Sequence, residues 1–429
     1  MYNKIFFYFL AFHGILRQEM SKTDGRSSLQ TGNGNRKSFG HSRCRLCLRQ
    51  GSGRLGADVI KVESLSGDVC RFSGAQLNLP TTEDDNIRWE MLNGNKRSIT
   101  IDMKTPEGRE IMERLLARAN IFFTNMRMRA IEKFGLDYES MSQRHPHIIW
   151  GHLSGFGTDG PQAADPGFDV VSYRARSGLL LLDFTEKGSA PNTAPFGVGD
   201  LNVGAMLAGG MAACLYQQAK TGKGQKVMKS LYGHAIWTAG CLVQSTAHGD
   251  QFPKSRKEAL SPFINSFQCS DEWFFTAVMD YAGKFPILCK MIGREDLITN
   301  PRFATLKEAQ ANKRELISIF DAWFIQHSWA EVDALLTAGD IAHSKICRFA
   351  DVANDAQARA CNYVYDFTTR TGGTDITVSS PVKFGRNDAV EHRSAPLVGE
   401  QTEEILREFG YSEEEIHSLE EKNVVRQHA

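Results

Sequence analysis

Apolar β-branched residues among polar ones mark "ADVIKVE" (57–63) and "SITID" (98–102) as strands. Thr105-Pro106-Glu107 then supplies an N-cap, a proline at the first helical position and an acid in the first turn. Ile111, Leu115 and Ala119 follow on one face of the helix it starts. That helix leads into a third strand, "IFFT" (121–124). A helix over "AIEKFGLDYESMSQRH", broken at Gly135, precedes a fourth, "HIIWGHL" (147–153). Strands and helices alternating at this spacing predict a mainly parallel sheet with right-handed crossovers.

Past Asp200, "LNVGAMLAGGMAACLYQQAKTG" reads as a buried helix that ends at Gly222, with Gly209-Gly210 allowing close approach. A second long helix is expected over about 227–247, carrying Leu231, Ile236, Trp237 and Leu242. Short apolar and polar segments then alternate between 250 and 350, the pattern of a smaller α+β domain. The tail closes with a helix after Gly399, a stop at Gly410 and a capping box from Ser412 to Glu415. Residues 17–54 differ from all of this, with nine Lys or Arg against two acidic residues and no period of 2 or 3.6. The expected organisation is an atypical segment over 1–55, a large domain over 56–225, a linker helix and small domain over 226–350, and a return to the large domain over 351–429. The fold class is α/β, with a Rossmann-like parallel-sheet large domain beside the smaller α+β one.

At 429 residues the chain is long enough for more than one core. Its 41% apolar and 23% charged content is that of a soluble globular protein, and the formal net charge of zero offers no footprint for nucleic acid or an anionic membrane. The apolar run from Ile5 to Phe12 is far shorter than the roughly 20 residues of a spanning helix. Nine scattered cysteines, an odd count, do not form a disulfide framework, and a reducing cytoplasm is the expected location.

Four features invite a chemical reading. Gly51-Ser-Gly53-Arg-Leu-Gly56 matches GxGxxG, but it precedes a strand where a dinucleotide fingerprint follows one. Cys44 and Cys47 form a single CxxC with no second pair, so no metal site is expected. Asp200 sits among glycines in "GVGDLNVG" (197–204), ahead of a helix. It is either the cap of that helix or a carboxylate presented for attack on an activated acyl carbon, where an ionised aspartate needs no base. Asp169, after Pro166-Gly167, is either a turn acid or a second carboxylate near the first.

Eight blocks over some 370 residues resemble, in order, the class III coenzyme A transferases, a family that includes formyl-CoA transferase, carnitine CoA-transferase and the α-methylacyl-CoA racemases. They are "GADVIKVES" (56–64), "NGNKRSITIDMKTPEGREIMERLL" (93–116), "ANIFFTNMRMRAIEKFGLDYE" (119–139), "LSGFGTDGP" (153–161), "PGFDVVSYRARSG" (166–178), "GVGDLNVG", "TGKGQKV" (221–227) and "RSAPLVGEQTEEILREFG" (393–410). The resemblance implies that Asp200 is the nucleophile that forms an aspartyl anhydride and then an aspartyl-CoA thioester, with Asp169 as the acid beside it. Gly197 and Gly199 would serve the approach of the thioester. The family's CoA contacts fall on Ile101, Asp102, Met103 and Lys104, and on Asn125, Met126 and Arg127, with Lys133 where the family carries Arg or Lys. A CoA thioester is then a substrate, with a free carboxylic acid as its partner and no prosthetic group, and relatives form interlocked homodimers.

Within the family, the racemases place a histidine directly before the equivalent of Asp169, where this chain has Phe168, so racemisation is disfavoured. Formyl-CoA transferase carries a run of glycines where this chain has "HGDQFPKSRKEALSPFINSFQCSDEWFF" (248–275), which argues against oxalate. The region is most similar to transferases of 2-hydroxy acids such as the cinnamoyl-CoA:phenyllactate enzyme, and Phe168, Tyr173 and Phe184 suit an apolar acyl chain. The family opens with a strand, a loop ending in Ala-Gly-Pro or similar, and a helix. Residues 21–55 instead resemble an out-of-frame reading of that segment. A missing first strand and helix is therefore expected, and with it the alternative of a degenerate or inactive member.

Overall fold

The computed structural model describes residues 7–11, 57–183, 190, 197–259, 261–379, 382 and 393–428. The GxGxxG run, Cys44, Cys47 and Phe184 lie outside them. The chain divides into two compact units. The larger holds residues 1–177, 194–240 and 356–429, and the smaller holds 178–193 and 241–355.

The larger unit is built on a six-stranded sheet of β1 (Phe7–Ala11), β2 (Asp58–Glu63), β3 (Arg97–Thr100), β4 (Ile121–Thr124), β5 (Ile149–Ser154) and β6 (Lys226–Ser230), in the order β3-β2-β1-β4-β5-β6. β2 pairs parallel with β3, as β4 does with β5 and β5 with β6. β1 runs antiparallel to both β2 and β4, so those two point the same way and the five other strands share one direction. The expectation that the family's first strand and helix are missing falls on residues 21–55, outside those described. Within the described residues the backbone of Phe7–Ala11 pairs with both β2 and β4 and stands between them.

The helices α1 (Ile87–Asn93), α2 (Pro106–Arg118), α3 (Met128–Lys133) and α4 (Tyr138–Arg144) connect these strands. Thr105 caps α2 through its hydroxyl and the Gly108 amide, as its sequence predicts. The Ile111, Met112, Leu115 and Leu116 face of α2 packs into a core with Ile60, Val62, Ile99, Phe122 and Trp150 from the strands. Helix α5 (Val198–Thr221) lies over β5, where Gly151 leaves room for the Met211 side chain. It is followed by β6 and α6 (Leu231–Thr238). The single long helix expected from about 227 is corrected here. Residues 226–230 form the edge strand β6, because Lys226-Val-Met-Lys-Ser pairs with β5 before the helical turn begins at Leu231.

The smaller unit has a three-stranded antiparallel sheet of β7 (Ile264–Gln268), β8 (Trp273–Ala277) and β9 (His343–Lys345). Helices α7 (Tyr281–Met291), α8 (Leu306–Ala311), α9 (Lys313–Phe324) and α10 (Trp329–Ala338) accompany it. Its core is aromatic, with Phe263 edge-on to Phe320 at 4.7 Å and Phe267 against Phe324 at 5.1 Å. The chain then returns to the larger unit through a hairpin of β10 (Val364–Thr368) and β11 (Thr374–Val378), and ends with α11 (Thr402–Glu408) and α12 (Glu413–Glu421). Ser412 and Glu415 form the expected capping box. The return is locked to the sheet edge, where buried Arg97 on β3 binds Asp58, Glu404 and Glu408.

Candidate active site

Helix α5 starts at Gly197, whose φ of 94° is in the left-handed region open to glycine. That residue is the N-cap, and Asp200 is the third residue of the first turn, so the reading of Asp200 as the cap is corrected. The capping carboxylate comes from 28 residues upstream. Asp169 accepts the Gly197 amide at Oδ2 and the Gly199 amide at Oδ1, the latter at 3.0 Å, occupying two of the amides that a helix start leaves unpaired. Asp169 is 3% exposed, whereas Asp200 is half-buried. Burial raises the Asp169 carboxyl above its ordinary range, the charge of nearby Asp200 adds to this, and the two amides oppose it.

The glycines are needed for this approach. A Cβ at Gly199 would come within 2.6 Å of Tyr173 Cδ1, and closer still to Tyr173 Cγ and Asp169 Oδ1. Asp169 begins a π-helical segment, Asp169–Ala175, and the loop leading into it is pinned to the end of β5 where Gly155 and Gly167 meet backbone to backbone. A Cβ on Gly167 would strike Gly155 and lie 2.7 Å from Ser172 Oγ. The Gly155 carbonyl in turn accepts the Tyr232 amide of α6 at 3.0 Å.

These contacts put the carboxylate pair beyond the carboxyl ends of the parallel strands, the usual ligand side of an open α/β sheet. The far end of α5 fixes the direction, because Gln218 reaches the carbonyls of His147 and Asn120 at the opposite ends of β5 and β4. Met211 sits over Gly151, so at about 1.5 Å per residue Asp200 lies roughly 16 Å further along the helix. The three residues from Gly151 to the end of β5 span only about 10 Å.

The other candidate residues lie on the same side of the sheet but are placed by different strands. Ile101 to Lys104 follow β3. Ile101 and Met103 are core side chains, so only their backbone can meet a ligand. Asp102 donates its amide to the Val424 carbonyl at 2.7 Å, and its carboxylate accepts the Lys104 amide at 3.0 Å. Asn125 to Arg127 follow β4. Met126 is buried, and its carbonyl is 2.8 Å from His152 Nε2. Lys104, Arg127 and Lys133 are exposed cations able to meet phosphate groups. In the strand order β3 and β4 are three steps apart, about 14 Å, so the two loops can contact separate parts of an extended ligand.

Two features escaped the sequence reading. His234 on α6 is buried against Tyr173, with ring centroids 6.1 Å apart, and a lone histidine on an apolar helix gives no sign of such a contact. A cavity of about 230 Å³ opens between the end of β2 and the C-terminal return, walled by Arg71, Trp89, Phe367 and Arg426. Arg71 lies 4.0 Å over the Trp89 ring, a pair 18 positions apart with no motif to announce it. Among the described residues no cluster of three or more His, Cys, Asp or Glu side chains could hold a metal ion.

Comparison with known proteins matches residues 53–402 to the model of CoA-transferase family III. The chain is 35% identical over 384 residues to (R)-2-hydroxy-4-methylpentanoate CoA-transferase of Clostridioides difficile, covering 89% of this chain and 95% of that one. It is 34% identical over 372 residues to cinnamoyl-CoA:phenyllactate CoA-transferase of Clostridium sporogenes, covering 85% and 90%. Among solved structures, a CAIB/BAIF family protein from Brucella suis superposes with a TM-score of 0.71 at 27% identity, covering 86% of this chain and 97% of that one. The chain therefore belongs to CoA-transferase family III and is a CoA-transferase.

Proposed function

We propose that the protein moves coenzyme A from an acyl-CoA to a free 2-hydroxy carboxylic acid, with Asp200 as the covalent nucleophile. The observation that carries this reading is the position of Asp200 in the first turn of α5, where the dipole favours negative charge, beside the helix start that Asp169 caps. In the proposed sequence an Asp200 oxygen attacks the thioester carbon and the C–S bond breaks, giving a mixed anhydride and a CoA thiolate. The thiolate attacks the aspartyl carbon, breaking the anhydride C–O bond and releasing the first acid as its carboxylate. The acceptor carboxylate then attacks the aspartyl-CoA thioester and expels the thiolate again. Attack of the thiolate on the acceptor's acyl carbon completes the exchange and restores Asp200. No net proton or redox equivalent is consumed.

Asp169 serves as a positioning residue in this account. The exposed cations Lys104, Arg127 and Lys133 are assigned to CoA phosphates, and holding CoA through both halves supplies the effective molarity. The preference for 2-hydroxy acids rests on the two relatives above, and the assembly implied by the family resemblance is a homodimer. The racemase alternative is disfavoured by Phe168, whose side chain offers no base. The test is a panel of carboxylic acids incubated with a few acyl-CoA donors and read by mass. Wild type transfers CoA to apolar 2-hydroxy acids and Asp200→Asn, folded normally, does not. Equal transfer by both proteins refutes the assignment.

A further inference from the structure

Tyr173 is the residue wedged against Gly199, and its ring also meets a histidine the proposed chemistry does not use. His234 is 5% exposed, its ring centroid 6.1 Å from Tyr173 and 6.0 Å from Trp237, with which it is stacked at 11°. Trp237 is 68% exposed and is the outermost of the three rings, while the Tyr173 and His234 planes are tilted by 40° to one another. Among the described residues the buried His234 Nδ1 has no hydrogen-bond partner, and the ring's contacts are with Tyr173 and Trp237. Burial, with Lys229 adding to it, pushes the imidazole below its ordinary range and favours the neutral form that such contacts accept.

The three rings tie two elements of different rigidity. Helix α6 leaves the sheet directly from β6 and is capped by Ser230, whose hydroxyl accepts the Gly233 amide at 3.0 Å. The first turn of α5 is capped from outside by Asp169 and contains Gly199, so its geometry depends on what holds the Asp169–Tyr173 segment against it. We infer that His234 is a positioning residue for the Asp169–Asp200 pair, holding the Tyr173 ring against Gly199 and so fixing the turn that presents Asp200. The inference rests on the proposed role of Asp200 for its effect on transfer, but not for its effect on the turn.

The test compares His234→Leu, which fills the same space without an aromatic face, with His234→Phe, which restores the face. For transfer, His234→Leu lowers kcat about 10- to 100-fold, as expected of a reacting group displaced by a fraction of an ångström to an ångström, with KM for acyl-CoA within about twofold. His234→Phe recovers kcat to within about threefold of wild type. For the turn, amide hydrogen exchange by mass over residues 197–201 speeds up about tenfold in His234→Leu and stays near wild type in His234→Phe. Unchanged exchange in folded His234→Leu, or a phenylalanine variant as fast-exchanging as the leucine one, overturns the inference. The exchange measurement stands without any activity. A wild type that transfers no CoA therefore removes the proposed function, while the exchange pattern separately decides the role of His234.

Discussion

Gly199→Ala adds one methyl group at the point where two elements meet. The new Cβ would lie 2.6 Å from Tyr173 Cδ1 and nearer to Tyr173 Cγ and Asp169 Oδ1, distances no relaxed side chain tolerates. Tyr173 is buried against His234 and Asp169 is held by two amides, so neither neighbour is the free end of a flexible chain. Overpacking of this kind costs about 1–3 kcal/mol, and a lost hydrogen bond to a charged group about 1.5–3 kcal/mol more. The sum of about 2.5–6 kcal/mol is a large part of the roughly 5–15 kcal/mol that stabilises a domain, and at about 2–4 °C per kcal/mol it lowers the midpoint by roughly 5–20 °C. Asp200 is the next residue, and a displacement of about 1 Å predicts a loss of roughly 100-fold in transfer. Gly209→Ala in the same helix is the control. Nothing lies within 4 Å of its added Cβ, so alanine there is neutral or stabilising by up to about 1 kcal/mol. Thermal unfolding and steady-state transfer on both variants decide the matter. Wild-type stability and rate in Gly199→Ala, or an equal loss in Gly209→Ala, refutes the reasoning.

Four further outcomes follow from the same geometry. Asp169→Asn removes one acceptor from the start of α5 and lowers stability by about 1–3 kcal/mol in denaturant titration, and an unchanged midpoint contradicts the capping role. The raised Asp169 carboxyl binds its proton more tightly in the native state than the unfolded value of about 3.9 allows. This group's contribution to stability is therefore greatest below pH about 4 and declines as pH rises through the folded value, and Asp169→Asn flattens that slope. Arg97→Met leaves Asp58, Glu404 and Glu408 without their shared cation and costs about 1–3 kcal/mol, since the two glutamates are solvated, with earlier proteolysis of the C-terminal helices, whereas an intact tail and midpoint count against the lock. Lys104→Glu on the exposed end of the β3 loop raises KM for acyl-CoA about fivefold, or roughly 1 kcal/mol, an effect that shrinks with salt and leaves stability within about 0.5 kcal/mol. A KM independent of both the substitution and salt removes Lys104 from the CoA contacts.

Much of the larger unit was legible because its strands and helices carry strong local signals. The β-branched runs at 58–63 and 121–124 and the Thr105-Pro106 start of α2 lie within a residue or two of the observed elements. Strand β6 was not legible, since "KVMKS" passes into the helix at Leu231 with no glycine or proline between them and its pairing with β5 is a tertiary fact. The run near the N-terminus was weighed only as a spanning segment and is too short for one, yet pairing on both edges gives five residues a place that local pattern does not announce. At the site the sequence marked Asp169 and Asp200 as carboxylates that could lie together but did not show which of them caps α5. A carboxylate just before an apolar run is usually its own helix's cap, and here the cap is supplied across 28 residues, which only the fold can reveal.

The central claim, that Asp200 carries the acyl or CoA group during transfer, is tested most directly by trapping. The wild-type protein is incubated with an acyl-CoA and hydroxylamine, digested, and its peptides are mapped by mass. The account predicts a hydroxamate on Asp200 alone, absent from Asp200→Asn and absent without acyl-CoA. Transfer that proceeds with no modified Asp200, or with the modification on another carboxylate, contradicts it.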